Sequence, residues 1–199
     1  AQRRGYESFG RAALDRALFP IGEKMPSNLS GNKAIEYAKQ KLGDAYDRLL
    51  PKLGGDLDYK PTNALPSQAG QSAPASLRDE LNNIKQMSTS LPQLAKGQLD
   101  RIIQHDVIDK FTAHGKASGE TLKEIQEQLR LDADRMKVGN PDQRRLAGAI
   151  KEVDASIRRM IDQVNTQYRS ELDKINSGYA NFKRAQKAAT SVGAPEGVF

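Results

Sequence analysis

The stretch from Leu146 to Phe182, LAGAIKEVDASIRRMIDQVNTQYRSELDKINSGYANF, decides the fold class. Leu146, Ile150, Val153, Ile157, Ile161, Val164, Tyr168, Leu172, Ile175, Tyr179 and Phe182 recur at spacings of three or four with no proline among them, so they fall on one stripe of a helix. Between them stand mostly Arg, Lys, Glu, Asp and Gln. One face therefore demands burial while the other tolerates water, and the demand is met by packing helix on helix. The stripe defines architecture and names no reaction.

Just upstream, Asn140-Pro141-Asp142-Gln143 combines a cap, a proline at the first helical position, an acid in the first turn and a capping-box Gln. A single helix from Pro141 to Ala189 would far exceed the typical length of about 11 residues. Asn165-Thr166 offers a new cap, so a break or bend is expected there. Gly139 is read as the C-terminal glycine of the preceding helix, which Ser118 caps, Glu120 favours in its first turn, and Leu122, Ile125, Leu129 and Met136 stripe.

Further upstream the same pattern repeats. Leu94, Leu99, Ile102, Ile103, Val107, Ile108 and Phe111 form a stripe after Leu91-Pro92 that ends at the Gly115 turn, and Leu77, Leu81 and Ile84 stripe a helix over Ser76 to Ser88. Near the start, Tyr6, Phe9, Ala13, Leu14, Ala17 and Leu18 mark a first helix closed by Pro20. A second runs from Asn32 to Leu50, capped by Ser30, with Ile35, Ala38, Leu42, Ala45, Tyr46 and Leu49 buried and Pro51 and Gly54-Gly55 ending it. Residues 54–75 hold clustered Gly and Pro with little periodicity, either a linker or a strap packed through Leu57, Tyr59 and Leu65. The expected division is an N-terminal helical hairpin over 1–53, this connection over 54–75, and a helical bundle over 76–199.

Only 37% of the 199 residues are hydrophobic and 6% aromatic, which predicts a thin core and favours an all-α, elongated bundle of amphipathic helices over a sphere. The formal charge of +6 suits a polyanionic partner, but 31 basic residues are interspersed with 25 acidic ones, the pattern of a solvated surface. Basic density peaks at Arg3-Arg4, Arg144-Arg145, Arg158-Arg159 and Lys183-Arg184. With no Cys, the chain has no disulfide, thiolate zinc site or Cys nucleophile. No apolar run reaches the ~18 residues of a membrane span, and the chain reads as soluble. Its start at Ala-Gln-Arg-Arg-Gly and its end at Gly-Val-Phe lead to the expectation of a processed product or a piece of a longer polypeptide.

The chemical inventory is sparse. His105 and His114 are nine residues apart, whereas a metal pair on a helix needs three or four; His105 is expected instead to ion-pair on the surface, near Asp106 and Asp109. Asp79-Glu80 and Asp132/Asp134 fall on polar faces, not in the apolar cleft that general acid catalysis requires. Tyr6-Glu7-Ser8-Phe9-Gly10 resembles the Glu-Ser start of lytic transglycosylase motifs, but the Gly-Leu-Met-Gln continuation is missing. Gly115-Lys116-Ala117-Ser118 shares only its Gly-Lys pair with a phosphate-binding loop and follows no strand pattern. No catalytic residue, metal, cofactor or small-molecule substrate is expected. If nucleic acid is contacted, Arg144, Arg145, Lys151, Arg158 and Arg159 are the candidate polyanion contacts, acting on phosphates in a salt-dependent manner.

Three stretches, in order along most of the chain, carry a resemblance. They are Pro20-Ile21-Gly22-Glu23-Lys24 leading to Lys41-Leu42-Gly43-Asp44-Ala45-Tyr46 and Leu49-Leu50-Pro51-Lys52-Leu53; Ser118-Gly119-Glu120-Thr121-Leu122-Lys123; and Ile175-Asn176-Ser177-Gly178-Tyr179-Ala180-Asn181-Phe182 through Gly193 to Gly197-Val198-Phe199. Together they resemble segments of large virion-associated proteins of tailed bacteriophages and prophages, the group that includes internal virion and DNA-ejection proteins. The resemblance implies a non-enzymatic structural protein located in the virion, and in the host envelope or cytoplasm after infection. It implies assembly with other virion proteins or with copies of itself, and assistance to genome ejection. The rival expectations are a sequence-independent DNA-binding protein and an accessory domain of a wall-degrading phage enzyme.

Overall fold

The computed structural model describes residues 2–61 and 75–190, with side-chain surroundings over 10–61 and 75–188. The protein is all-α apart from one short two-stranded ribbon among the described residues. Its α-helices are α1 (Gln2–Leu18), α2 (Gly31–Leu49), α3 (Leu77–Met87), α4 (Gln93–Arg101), α5 (Gly119–Lys137), α6 (Pro141–Val164) and α7 (Arg169–Thr190), and the ribbon strands are β1 (Gly54–Asp56) and β2 (Lys116–Ser118).

The chain forms two compact units that do not follow the expected division at 54–75. Unit 1 joins residues 1–50 to 167–199, and unit 2 is the continuous insert 51–166. The glycines at 54 and 55 start β1 within unit 2 instead of lying in a linker. Leu57 is buried, as a strap requires, while Leu65 lies outside the described residues.

Unit 1 packs α1, α2 and α7 on one another. Leu14, Ala17, Leu18, Met25, Ala34, Ala38, Leu42, Phe182 and Ala185 make its core, with Ile21, Leu29, Ile35, Tyr37 and Tyr179 at the edge. The alanines permit close approach, and Gly178 takes this furthest: a Cβ placed there would lie 2.8 Å from the Ala17 carbonyl oxygen and 2.6 Å from a Leu42 methyl. After α1 a 3-10 turn, Phe19–Ile21, ends at left-handed Gly22 (φ 76°). The loop that follows is tied back to α1, because Asp15 Oδ1 accepts from Met25 N at 2.7 Å and Arg11 donates to the carbonyls of Ser27 and Met25. The expected Ser30 cap of α2 is absent, since its side chain makes no capping hydrogen bond. Tyr6 and Phe9 lie outside the residues whose side chains are described.

In unit 2, α6 packs most extensively on α5 and also on α3, α4 and β1. The inward face of α6 is Leu146, Ala147, Ile150, Val153, Ile157, Met160 and Ile161, met by Leu122, Ile125, Leu129 and Ala133 of α5. Both expected caps form: Ser118 Oγ accepts from Thr121 N, and Asn140 and Gln143 exchange a full capping box. Gly139 follows the C-cap Val138 of α5, as expected of its C-terminal glycine, though without a positive φ; a Cβ there would collide with the Gln143 side chain that closes this box. The helix expected after Pro92 is also different. Leu94 is 78% exposed because Ala95 and Leu99 supply the buried face, and α4 gives way to a π-helical turn, Ile102–Val107, and a 3-10 turn, Ile108–Lys110. The wider turn places Ile102, Ile103 and Val107 in the core.

β1 and β2 pair antiparallel, Gly54 with Ser118, Gly55 with Ala117 and Asp56 with Lys116. Gly115 (φ 70°) makes the turn into β2, and Lys116 ion-pairs with Asp56, so the Gly-Lys pair serves the ribbon. Asn165 does not cap α7. Its amide donates to the carbonyls of Ile161 and Gly54 at 2.8 and 2.7 Å, and its Oδ1 accepts from Gly54 N at 2.9 Å, fastening the end of α6 to β1. The expected break falls here: α6 ends at Val164 and α7 begins at Arg169, after a 3-10 turn over Thr166–Tyr168.

Candidate polyanion-contact face

Burial of the α6 stripe turns Arg144, Arg145, Lys151, Arg158 and Arg159 to the exposed side of one helix, as their spacing requires. The structure thus gathers all five on α6. It does not leave them as a field of uncompensated charge. Arg158 Nη2 lies 2.7 Å from Asp154 Oδ2, and the other oxygen of that carboxylate accepts from Gln126 of α5 at 3.1 Å. Arg159 donates to Glu80 of α3 at 2.9 Å and to the buried Ser156 hydroxyl at 2.9 Å. Arg145 stands 3.8 Å from Asp142. Arg159 therefore ties α6 to α3, Arg158 braces the Asp154 carboxylate that Gln126 of α5 also holds, and Arg144 and Lys151 make no ion pair among the described residues.

Beside them a groove of about 350 Å³ runs between α5 and α6. Leu129, Ala133, Ile150 and Ala155 line it, with Arg130, Lys151 and Arg158 opposed by Asp134 and Asp154. Mixed charge of this kind gives little net attraction for a chain of phosphates. Unit 2 as a whole has 17 Lys and Arg against 16 Asp and Glu, a formal +1.

The carboxylates and histidines fall elsewhere in unit 2. His105 Nδ1 lies 2.8 Å from Asp109 Oδ2, the surface pair the sequence suggested, and Gln104 donates to Asp109 Oδ1 at 2.7 Å. The hydrogen bonds from Gln104 and then His105 hold the Asp109 carboxyl below the ordinary carboxylate range. Asp106 moves the opposite way, first through burial and then through the charge of Asp132 on α5. Arg78 holds Asp58 low, mainly by donating to it at 2.6 Å, and the bonds from Ser76 hold Asp79 low. No group of three or more His, Cys, Asp or Glu among the described residues could hold a metal ion. The Glu7 side chain lies outside the described set.

The sequence reading missed the partners that compensate α6. Asp154 precedes Arg158 by four residues and was legible as a helix pair, whereas Glu80 lies 79 residues from Arg159 and nothing local announces it. No helix is long and apolar enough to cross a membrane among the described residues. No protein-family model, no curated protein and no solved structure matches the chain.

Proposed function

We propose that this chain is a non-enzymatic structural protein of a tailed-bacteriophage particle, carried in the virion and delivered with the genome to assist its passage through the host envelope. It works by assembly, with other virion proteins or with copies of itself.

One observation supports this reading above others: the stretches that resemble virion-associated proteins are contact partners. Glu23 of the first stretch pairs with Lys41 at 3.4 Å, Leu42 lies against the backbone of Gly178, and the Tyr179 hydroxyl lies over Gly43. In unit 2, Gly119 N donates to the Leu53 carbonyl at 3.1 Å. The resembling residues are thus those that fix helix approach and turn geometry, which is where a structural family would keep its pattern. Two small units with largely aliphatic cores also suit a protein that must loosen in stages to travel with DNA.

The test is quantitative mass spectrometry of phage particles induced from the source organism and treated with protease to remove adsorbed protein. A fixed copy number per particle is expected. Absence from particles, with the protein abundant in the infected cell, overturns the reading.

A further inference from the structure

Two outward ridges of unit 2 carry charge that the chain itself does not answer. On α5, the side opposite the buried Leu122, Ile125 and Leu129 presents Glu120, Glu124, Glu127 and Leu131, with all three acids exposed and Leu131 47% exposed. On α6, the side opposite Ile150, Val153 and Ile157 presents Arg144, Gly148, Lys151 and Ala155. At about 100° per residue each set of four falls within about 60° of the helix circumference, so each is one ridge. Opposite charges lie off the ridges. Arg130 lines the groove toward α6, Lys123 shares its side of α5, and Glu152 is turned about 100° from Lys151. Arg135, one turn beyond Leu131, stands 3.7 Å from Asp132. Glu120, Glu124, Glu127, Arg144 and Lys151 make no ion pair among the described residues. On a solvated helix an acid often has a cation four residues on, as Asp154 has Arg158. Four residues on from the three ridge acids stand Glu124, Gln128 and Leu131, and four on from the two ridge cations stand Gly148 and Ala155.

We propose that these ridges bind each other between copies of this chain, with α5 of one copy lying parallel on α6 of the next. Their positions, 120, 124, 127, 131 and 144, 148, 151, 155, differ by 24 throughout. Parallel alignment therefore sets Glu120 against Arg144, Glu127 against Lys151 and Leu131 against Ala155, with the two ion pairs about 10.5 Å apart on both helices. Glu124 then lies over Gly148, where a Cβ would meet nothing within 4 Å, so the fold of one copy does not itself require the glycine. The antiparallel alternative, Glu127 with Arg144, carries Leu131 to Asn140 and Ala155 to Lys116, both outside the helices. Charge also excludes symmetrical pairing, because α5 on α5 opposes acids with acids and α6 on α6 opposes cations with cations. The contact joins unlike surfaces and leaves one ridge free at each end, so copies add into a ring or an open chain. One ridge on another is a small interface, and its association depends on concentration and weakens with salt. The proposal rests on the self-assembly part of the functional reading and not on a place in the virion; particle composition tests that reading and self-association tests this one.

The chain has no cysteine, so engineered single cysteines report contacts without background. Full-length Leu131→Cys protein is mixed with Ala155→Cys protein at low salt, about 50 mM, and mildly oxidised. The mixed disulfide is expected to outnumber either homodimer several-fold, and Leu94→Cys, 78% exposed and off both ridges, is expected to give no such preference with either. Sedimentation of the uncrosslinked chain reads the charges. Glu127→Lys and Lys151→Glu each turn an attraction into a repulsion and should weaken association by about three- to tenfold, while the double variant, which restores the pair in reverse, should return to within about twofold of wild type. The cysteine measurement changes no charge and stands even where a charge variant folds poorly. Any of three results overturns the proposal: a wild-type chain that stays monomeric at every concentration at low salt, homodimers of either cysteine variant that equal or exceed the mixed disulfide, or a folded double variant that associates no better than the single ones.

Discussion

Replacing Gly178 with alanine tests the closest helix approach in unit 1. Taken alone, the substitution should strengthen α7 by about 1 kcal/mol, because glycine is the poorer helix former. The added methyl, however, would lie 2.8 Å from the Ala17 carbonyl oxygen and 2.6 Å from Leu42 Cδ2. A carbon and a carbonyl oxygen rest comfortably at about 3.3–3.6 Å, so α7 must retreat from α1 by roughly half an ångström. The Leu42 methyl can rotate away, but the Ala17 carbonyl is fixed in the backbone of α1. Overpacking of this kind costs about 1–3 kcal/mol, which leaves a net loss of up to about 2 kcal/mol. Gly148 on α6 is the control, since a Cβ there meets nothing within 4 Å and Gly148→Ala should stabilise unit 2 by about 0.5–1 kcal/mol. Urea denaturation followed by circular dichroism, with hydrogen exchange on peptides of each unit, reads both effects; for units of this size 1 kcal/mol corresponds to about 4–8 °C in Tm. If Gly178→Ala stabilises as much as Gly148→Ala, the close contact of α7 with α1 and α2 does not exist.

Asn165→Ala should destabilise unit 2 by about 1–3 kcal/mol, because it strands the Gly54 N–H and removes two donations from a buried side chain; faster exchange at Gly54 is the local reading, and unchanged exchange would mean the fastening does not hold β1. Asp58 is held below its ordinary value of 3.8 by Arg78, so its contribution is complete above that value and disappears as pH falls through the lower folded one. The stability difference between wild type and Asp58→Asn, under about 1 kcal/mol for so exposed a pair, should close in acid, and a difference constant from pH 7 to 2 would remove the pair from the argument. Asp106 is raised, so its ionised form weighs against folding above its folded value and the penalty lifts as pH falls to 3.8. Asp106→Asn should therefore be more stable than wild type at pH 7 and indistinguishable from it in strong acid; equal stability at pH 7 would show that Asp132 and burial do not act on it.

The helices were legible because each carries a stripe, and the break at Asn165-Thr166 was legible because those residues compete for backbone bonds. The destination of each stripe was not. Leu146 to Ile161 are buried within unit 2, whereas Leu172, Ile175 and Phe182 belong to unit 1, although the spacing runs through both as one ladder. Periodicity records the angle at which a residue leaves the helix and not what receives it. The ribbon was missed for another reason: Gly54-Gly55-Asp56 and Lys116-Ala117-Ser118 are too short to show alternation, and β1 is held besides by Asn165, 111 residues from Gly54. The basic pairs at Arg158-Arg159 and Lys183-Arg184 look alike in the sequence. They differ once Asp154 and Glu80 are seen beside the first pair and no ion-pair partner is found beside the second among the described residues.

Because unit 1 joins segments on either side of unit 2, the order of synthesis runs against the usual rule that the earlier part folds first. Leu14, Leu18 and Leu42 leave the ribosome before Phe182 and Ala185, which complete their core and follow about 140 residues behind Leu42, roughly 7–28 s at 5–20 residues per second. Throughout that interval the leucines of α1 and α2 lack their α7 partners, while unit 2 is drawn from one uninterrupted segment, 51–166. In a nascent chain that has not reached Phe182, α1 and α2 lack the face that covers them, and that is where chaperones are expected to bind.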